Sequence, residues 1–456
     1  MHASYQPLKS VRFNRRSTER TPLRCLAVLL GLGLGMTYGA NLAHADEPAW
    51  DRFQSGGSTL VEGELPMQWR PEGESIVWTA DIEGYGQSSP ILHGERVYVT
   101  STSGENKERF HVTALALASG EPIWRASFDN PTPETNNNYV CRAAPSPAVD
   151  ATALYVMNEG GVLASLDFDG GLRWERDLVD EFGPISARHG LAASLEQNEE
   201  HLFVWIERES DPYLLCINKG SGETVWKVDG LGATTWGSPR LVQVAGGEQL
   251  VCSASGILVG FDPVTGERLW TLQDIANNTS STPMPAGDGR FFIGVSNGRG
   301  EDQAGGGDTA SGMVSIERQE GGQYQARFIW RADRARCSFG SPLVAGGQVW
   351  VVNQTGVLFR LDAETGETRS TTRLAAGGIW ATPLANDKQV YFFGQKGVTS
   401  IVAIDSGEEV ASNELWAGGD DQPAGAPGFS GHIQYAAAAG DGVLVIRRGD
   451  RVYAIR

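Results

Sequence analysis

Positive charge is scarce in this chain: 37 Lys and Arg stand against 55 Asp and Glu, a formal net charge of −18. Six of the basic residues, but only one acid (Glu19), lie in residues 1–45, so residues 46–456 carry 31 basic and 54 acidic side chains, a net charge of −23. A surface so acidic repels nucleic acid and anionic lipid at long range, which excludes nucleic acid as the expected partner. Long apolar runs are also missing after residue 45, where no window approaches the roughly 18 residues a membrane-crossing helix needs. Cysteine is sparse, with five residues, no CxxC and no adjacent pair. Cys25 lies in the leader, leaving Cys141, Cys216, Cys252 and Cys337 far apart in sequence. An even count permits disulfides in an oxidising compartment. Cys216 and Cys252 fall in neighbouring repeats and are the pair that geometry allows; because both sit in apolar strand patterns, LLCIN and LVCSA, buried free thiols are the alternative.

Paired metal spacing is absent too. His93, His111, His189, His201 and His432 show no HxxH or similar grouping, so no zinc site is expected. Glu301, Asp302 and Asp308 lie in a Gly-rich stretch without the alternating acids of a calcium loop, and read as a solvated insert. Nothing resembles GxSxG, so no nucleophile elbow is indicated. No residue is assigned a catalytic role.

What is present begins with a basic leader, MHASYQPLKSVRFNRRSTERTPLR, followed by the uncharged CLAVLLGLGLGMTYGA and ending in Ala43-His44-Ala45. This is the pattern of a secretory signal cleaved after Ala45, with an uncleaved anchor as the alternative. The Arg15-Arg16 pair lacks the following residues of a twin-arginine signal. The expected product is exported, periplasmic or secreted, with no membrane-spanning segment after cleavage.

Internal repetition then decides the fold. A tail recurs as ALALASGEPIW (114–124), LASLDFDGGLRW (163–174), LLCINKGSGETVW (214–226) and LVGFDPVTGERLW (258–270), with a weaker copy, LFRLDAETGETRS (358–370), that lacks the Trp. A head recurs as Ser/Thr-Pro before an alternating run, in SSPILHGERVYVTS (88–101), PSPAVDATALYVMN (145–158), GSPLVAGGQVWVVN (340–353) and ATPLANDKQVYFFG (381–394). Each unit holds four short β-branched or aromatic runs between Gly, Asp or Asn turns, the pattern of a four-stranded blade. The marker residues Trp78, Trp124, Trp174, Trp226, Trp270 and Trp330 are spaced by 46, 50, 52, 44 and 60 residues, followed by weaker repeats ending near Ser370 and Trp416. Heads near Ser88, Ser146, Leu191, Ser238, Thr282, Ser341, Thr382 and Gln434 predict an all-β, eight-bladed propeller of four-stranded antiparallel blades, expected to be a monomer. The last unit has only three strands, and the orphan ESIVWTADI (74–82) precedes the first head. The expected closure places that N-terminal strand in the last blade. The division expected is a signal peptide at 1–45, a lead-in segment at 46–73 and the propeller at 74–456. The six Trp are expected to dock one blade against the next, each ring burying on the order of 200 Å².

The AxDxxTGExxW tail and the SP head resemble the repeat of pyrroloquinoline-quinone-type propellers, over about residues 80–456. That group includes quinoprotein alcohol dehydrogenases and a propeller lipoprotein that helps assemble outer-membrane proteins. The segment WDRFQSGGSTLVEGELPMQW is similar to the start of exported bacterial proteins with this repeat. The dehydrogenases of the group hold their quinone with a vicinal disulfide and a calcium or lanthanide ion, bound by Glu and Asn beside a catalytic Asp. No Cys-Cys pair occurs here, and no residue matches those metal or base positions. The lipoprotein carries a lipidated Cys at its cleavage site, whereas Cys25 precedes the apolar stretch.

In a propeller the loops between second and third strands share one face with the crossings between blades. That face receives the long segments 101–111, 125–144, 207–212 and 296–312, and the opposite face receives short turns such as SGE and TGE. Residues just before each head are expected to line a funnel on the elaborated face. They include Tyr85, Gln87 and Tyr139, then Arg142, Arg188 and His189, then Trp236, Asn278, Arg336, Trp380 and His432. Arginines and rings at one mouth of an acidic protein suggest a pocket for a small anionic or planar ligand; loop support and channel filling are the alternative reading. Two functions follow as expectations. One is a non-catalytic scaffold that binds a protein or peptide, with no cofactor. The other is a quinone-dependent oxidoreductase using pyrroloquinoline quinone with calcium.

Overall fold

A computed structural model describes residues 10–12, 50–137, 140–296, 307, 309–332, 334–416 and 433–456. It is an eight-bladed propeller of four-stranded antiparallel sheets. Blade 1 runs outward from the axis through Ile91–His93, Arg96–Ser103, Arg109–Ala116 and Pro122–Asp129, with Ser10–Arg12 lying parallel against its outer edge. Blade 2 begins at Ala148–Val149, blade 3 at Glu196–Gln197, blade 4 at Arg240–Val244, blade 5 at Met284–Gly287, blade 6 at Leu343–Ala345, and blade 7 at Leu384–Ala385. Blade 8 combines Gln434–Gly440, Val443–Arg448 and Arg451–Ile455 with Ile76–Asp81 as its outermost strand. Ile76 faces Ile455 and Asp81 faces Arg451, so the two ends of the propeller segment are stitched in one antiparallel ladder.

The sequence pattern explains the layering. Inner strands are buried on both faces and read as continuous apolar runs, as in LFVWI or VLVIR. The outermost strand faces a neighbouring blade on one side and solvent on the other, so it alternates. In Ile76–Asp81, Trp78 and Ala80 are buried while Val77 and Thr79 are exposed. Every outer strand pair also shifts register by one residue at the same place. The unpaired residue is the one before the marker position: Val77, Ile123, Arg173, Val225, Leu269, Ile329, Arg369 and Val410. Such a bulge bends the strand and re-aims the next side chain, here toward the following blade.

Five of the marker indoles donate across to a turn carbonyl of the next blade: Trp78 to Leu117 (2.8 Å), Trp124 to Phe168 (2.8 Å), Trp174 to Lys219 (2.8 Å), Trp226 to Pro263 (3.1 Å) and Trp330 to Ala363 (3.0 Å). The turn glycine lies flat against the ring. At Gly170 (φ +84°) a Cβ would come within 2.8 Å of the Trp124 indole. Trp270 departs from the pattern, donating to Gln249 of its own blade at 2.7 Å. Its cross-strand neighbour is Gly260, where a Cβ would stand 2.1 Å from the indole nitrogen, so the missing side chain lets the ring fold back.

The weak repeats resolve differently from their sequence reading. In blade 6, Ser370 occupies the marker position, and its cross-strand neighbour Arg360 does the docking, donating to Ile404 O (2.9 Å) and Ser406 O (2.8 Å) of blade 7. In blade 7 the marker position is Ala411, not Trp416, which lies beyond the strand and stacks on Tyr453. The head of blade 3 is Ser194, three residues after Leu191. Cys141, Cys216, Cys252 and Cys337 are all free thiols, so the Cys216–Cys252 pairing does not form; both sit in one apolar cluster between blades 3 and 4, and burial pushes their thiols up.

Candidate functional site: an axial well

The head motif places a hydroxyl at the inner end of most blades. Pro follows it at Pro90, Pro147, Pro239, Pro283, Pro342 and Pro383, at the mouth of an innermost strand, where no ladder partner needs its missing N–H. The preceding Ser or Thr uses its own N–H to bond the hydroxyl of the next blade. Ser89 donates to Ser146 (2.9 Å), Ser146 to Ser194 (3.0 Å), Ser194 to Ser238 (2.9 Å), Ser238 to Thr282 (3.0 Å) and Thr282 to Ser341 (3.1 Å). This belt joins blades 1 to 6 around the axis.

Residues 50–61 close the axis on the side of the first hairpin turns. Trp50 pairs with Leu92 of blade 1, Asp51 O accepts from Val149 of blade 2, and Arg52 meets Glu196 of blade 3. Arg240 of blade 4, 1 % exposed, bonds Gln54 Oε1 (2.8 Å) and Glu196 (3.0 Å). The segment then crosses the ring: Gln54 Nε2 donates to Thr382 Oγ1 (2.6 Å), and Val61 N donates to Ala385 O (2.8 Å), both in blade 7. Three of its non-glycine residues hold left-handed backbone, Gln54 (φ 59°), Ser55 (φ 44°) and Thr59 (φ 42°). That conformation is costly and persists because the surroundings over-determine it.

Together these parts form a well of about 90 Å³. Its floor is Trp50, Phe53, Gln54 and Thr59, its walls are the head hydroxyls of Ser89, Thr282, Ser341 and Thr382, and its mouth is Trp236, Phe339, Trp380 and Tyr435. The mouth rings touch in sequence, Phe339 to Trp380 at 5.2 Å and Trp380 to Tyr435 at 6.2 Å.

Of the residues expected at the funnel, Trp236 and Trp380 line the well. Tyr85 lies beside it, its hydroxyl 2.8 Å from that of Tyr435 and its ring 3.5 Å from the Arg142 guanidinium; burial, then Tyr435, pushes its phenol up. Arg142 is 8 % exposed and packs in this layer rather than facing the well. His189, exposed, packs at a tilt against Trp236, ring centroids 6.0 Å apart. Arg188 is exposed on the same segment, and Arg336 donates to Thr309 (3.2 Å); neither lines the well. Gln87 bonds the Arg142 backbone, and Asn278 holds Ser253 and Gly256. Tyr139 and His432 fall outside the described residues, as do Glu301, Asp302 and Asp308.

Sequence reasoning missed the floor and half the mouth. Phe339 and Trp236 each stand two residues before a head hydroxyl, the register that would have found Phe339. The floor gave no such signal, because its residues are tied to the blades by contacts far along the chain, from Trp50 with Leu92 to Gln54 with Thr382, 328 positions away.

Among the described residues no cluster of three or more His, Cys, Asp or Glu is placed to hold a metal ion, and no charged side chain lines the well. A carboxylated quinone seated over calcium needs both a carboxylate set and cationic partners. The side chains of this well do not fit that group.

The profile of the family described as outer membrane protein assembly factor BamB matches residues 53–183, 108–372 and 324–456, which together run through all eight blades. The chain belongs to this family. A BamB relative from Alkalilimnicola ehrlichii is 26% identical over 209 residues, 46% of this chain and 49% of the relative; the alignment thus spans about half the length of that protein. The crystal structure of BamB from Moraxella catarrhalis superposes with a TM-score of 0.56 at 12% identity, covering 86% of this chain and 97% of that one. Quinohemoprotein alcohol dehydrogenase from Comamonas testosteroni reaches the same TM-score at 12% identity, over 91% of this chain and 81% of its own. At such identity the two structures share the BamB-like fold with this chain, and the likeness speaks to fold alone. No helix among the described residues is long and apolar enough to cross a membrane.

Proposed function

We propose that this protein is an exported scaffold, without chemistry of its own, that takes part in assembling outer-membrane proteins by binding a protein or peptide partner on its elaborated face. The observation that carries this reading is the assembly-factor profile running through every blade. The build of the face supports it. The crossing from blade 1 to blade 2 is held from beneath by Lys107, 1 % exposed, which reaches Glu159 (3.3 Å), Glu134 (3.2 Å) and Cys141 O (3.0 Å), while Glu159 accepts from Ala143 N (2.9 Å). A loop tied to a buried ion pair presents a preformed surface, which lowers the ordering cost of binding. The test is removal of the protein from its source cells, followed by the yield of folded, heat-modifiable β-barrels in the outer membrane. The expected result is a fall in folded barrels that the full chain restores. Unchanged barrel yield and folding would overturn the reading.

A further inference from the structure

We infer that the axial well is a binding site for one uncharged, polyhydroxylated ring, the end sugar of a glycan. This goes beyond the assembly reading and stands or falls apart from it.

Size comes first. A well of about 90 Å³ matches about three waters at the roughly 30 Å³ each occupies in the liquid, room for the hydroxyl-bearing edge of one sugar ring with the rest of the ring against the mouth. Chemistry narrows the occupant further. At the floor, Trp50 Nε1 and Thr59 Oγ1 have no protein partner, although the residues are only 2% and 1% exposed. Buried polar groups left unpaired are costly, so an apolar occupant would seal in that cost. An anion is disfavoured for a different reason: among the described residues no cationic side chain lines the well to compensate its desolvation.

The walls offer Ser and Thr hydroxyls, each able to donate and accept. Thr282 and Ser341 already accept from belt N–H groups, which leaves their hydroxyl hydrogens to donate toward the well. Sugar hydroxyls have the same dual character. The mouth is lined by the rings of Trp236, Trp380 and Tyr435, and an aromatic face, with its negative potential, suits the C–H face of a sugar ring. The left-handed Gln54, Ser55 and Thr59 show that the floor is held in a costly shape, and such strain clusters at ligand clamps.

The test is calorimetric titration of the full chain with D-glucose, D-galactose and N-acetyl-D-glucosamine, in parallel with inorganic phosphate and pyrroloquinoline quinone. Saturable binding of at least one sugar is expected, with a dissociation constant on the order of 1 mM or tighter. Trp380→Ala should weaken it by about two- to tenfold, the size of one lost ring contact. Thr59→Val keeps the side-chain shape, should weaken binding similarly, and carries the test if Trp380→Ala fails to fold. No saturation with any of the three sugars, undiminished affinity in the folded variants, or binding of phosphate or the quinone in their place would overturn the inference.

Discussion

A tryptophan on an outermost strand joins two blades because its ring fills the gap between sheets while its N–H satisfies a turn carbonyl that the neighbouring blade cannot pair itself. Trp124, 4% exposed, does both. Trp124→Ala should therefore cost about 3–5 kcal/mol, read as a lowered urea midpoint at unchanged slope. Arg360 shows that the post matters more than the residue, since a guanidinium on the adjacent strand reaches the equivalent carbonyl once Ser370 is too short. A second residue gives a pH signature. His111 is 4% exposed between Ser103 (2.7 Å) and Ser127 (2.8 Å). Burial, with the charges of Arg125 and Arg109, pushes its imidazole down to about 4 against the pull of Glu83. An unfolded histidine titrates near about 6.5. Between those values the unfolded chain takes up a proton that the native one refuses, so this contribution is full above about pH 6.5 and declines as pH falls toward about 4. Urea midpoints measured across that window should fall with acid in the parent and fall less in His111→Gln.

At the scale of the element, the Ser/Thr-Pro head is both the start of a strand and a link in the belt. Ser238→Ala removes the acceptor for the buried N–H of Ser194, which should destabilise the ring by about 1–3 kcal/mol in the same urea assay, while Ser221→Ala on an exposed turn should stay within about 0.5 kcal/mol. The head was readable in the chain because Pro and alternation announce an innermost strand. Its belt was not, since each bond joins residues 44 to 59 positions apart and nothing local marks the pairing. The repeated bulge was hidden likewise: an unpaired Val or Ile before the Trp looks like any strand residue. Trp416 misled for the opposite reason, an aromatic residue near the expected spacing whose strand had already ended at Glu414.

For the whole molecule, eight blades and their closure were legible because repetition is a property of the entire chain, and a three-stranded last unit needs a fourth strand from somewhere. The well was legible only in part. Its mouth follows the head register, as Trp236 and Trp380 do, but its floor depends on a segment that crosses the ring from blade 1 to blade 7. Closure of that kind gives a rigid base to the elaborated face, the face proposed to bind the partner. The most direct test places a photo-crosslinking residue at Ser210, in the exposed blade 3 loop, and separately at Val264, 68% exposed on a turn of the opposite face. Crosslinked products from source cells would be identified by mass spectrometry. Adducts with an outer-membrane barrel or a protein of its assembly apparatus are expected from Ser210, and none from Val264, if the elaborated face binds the partner. Adducts confined to Val264, or none from either position, would contradict it.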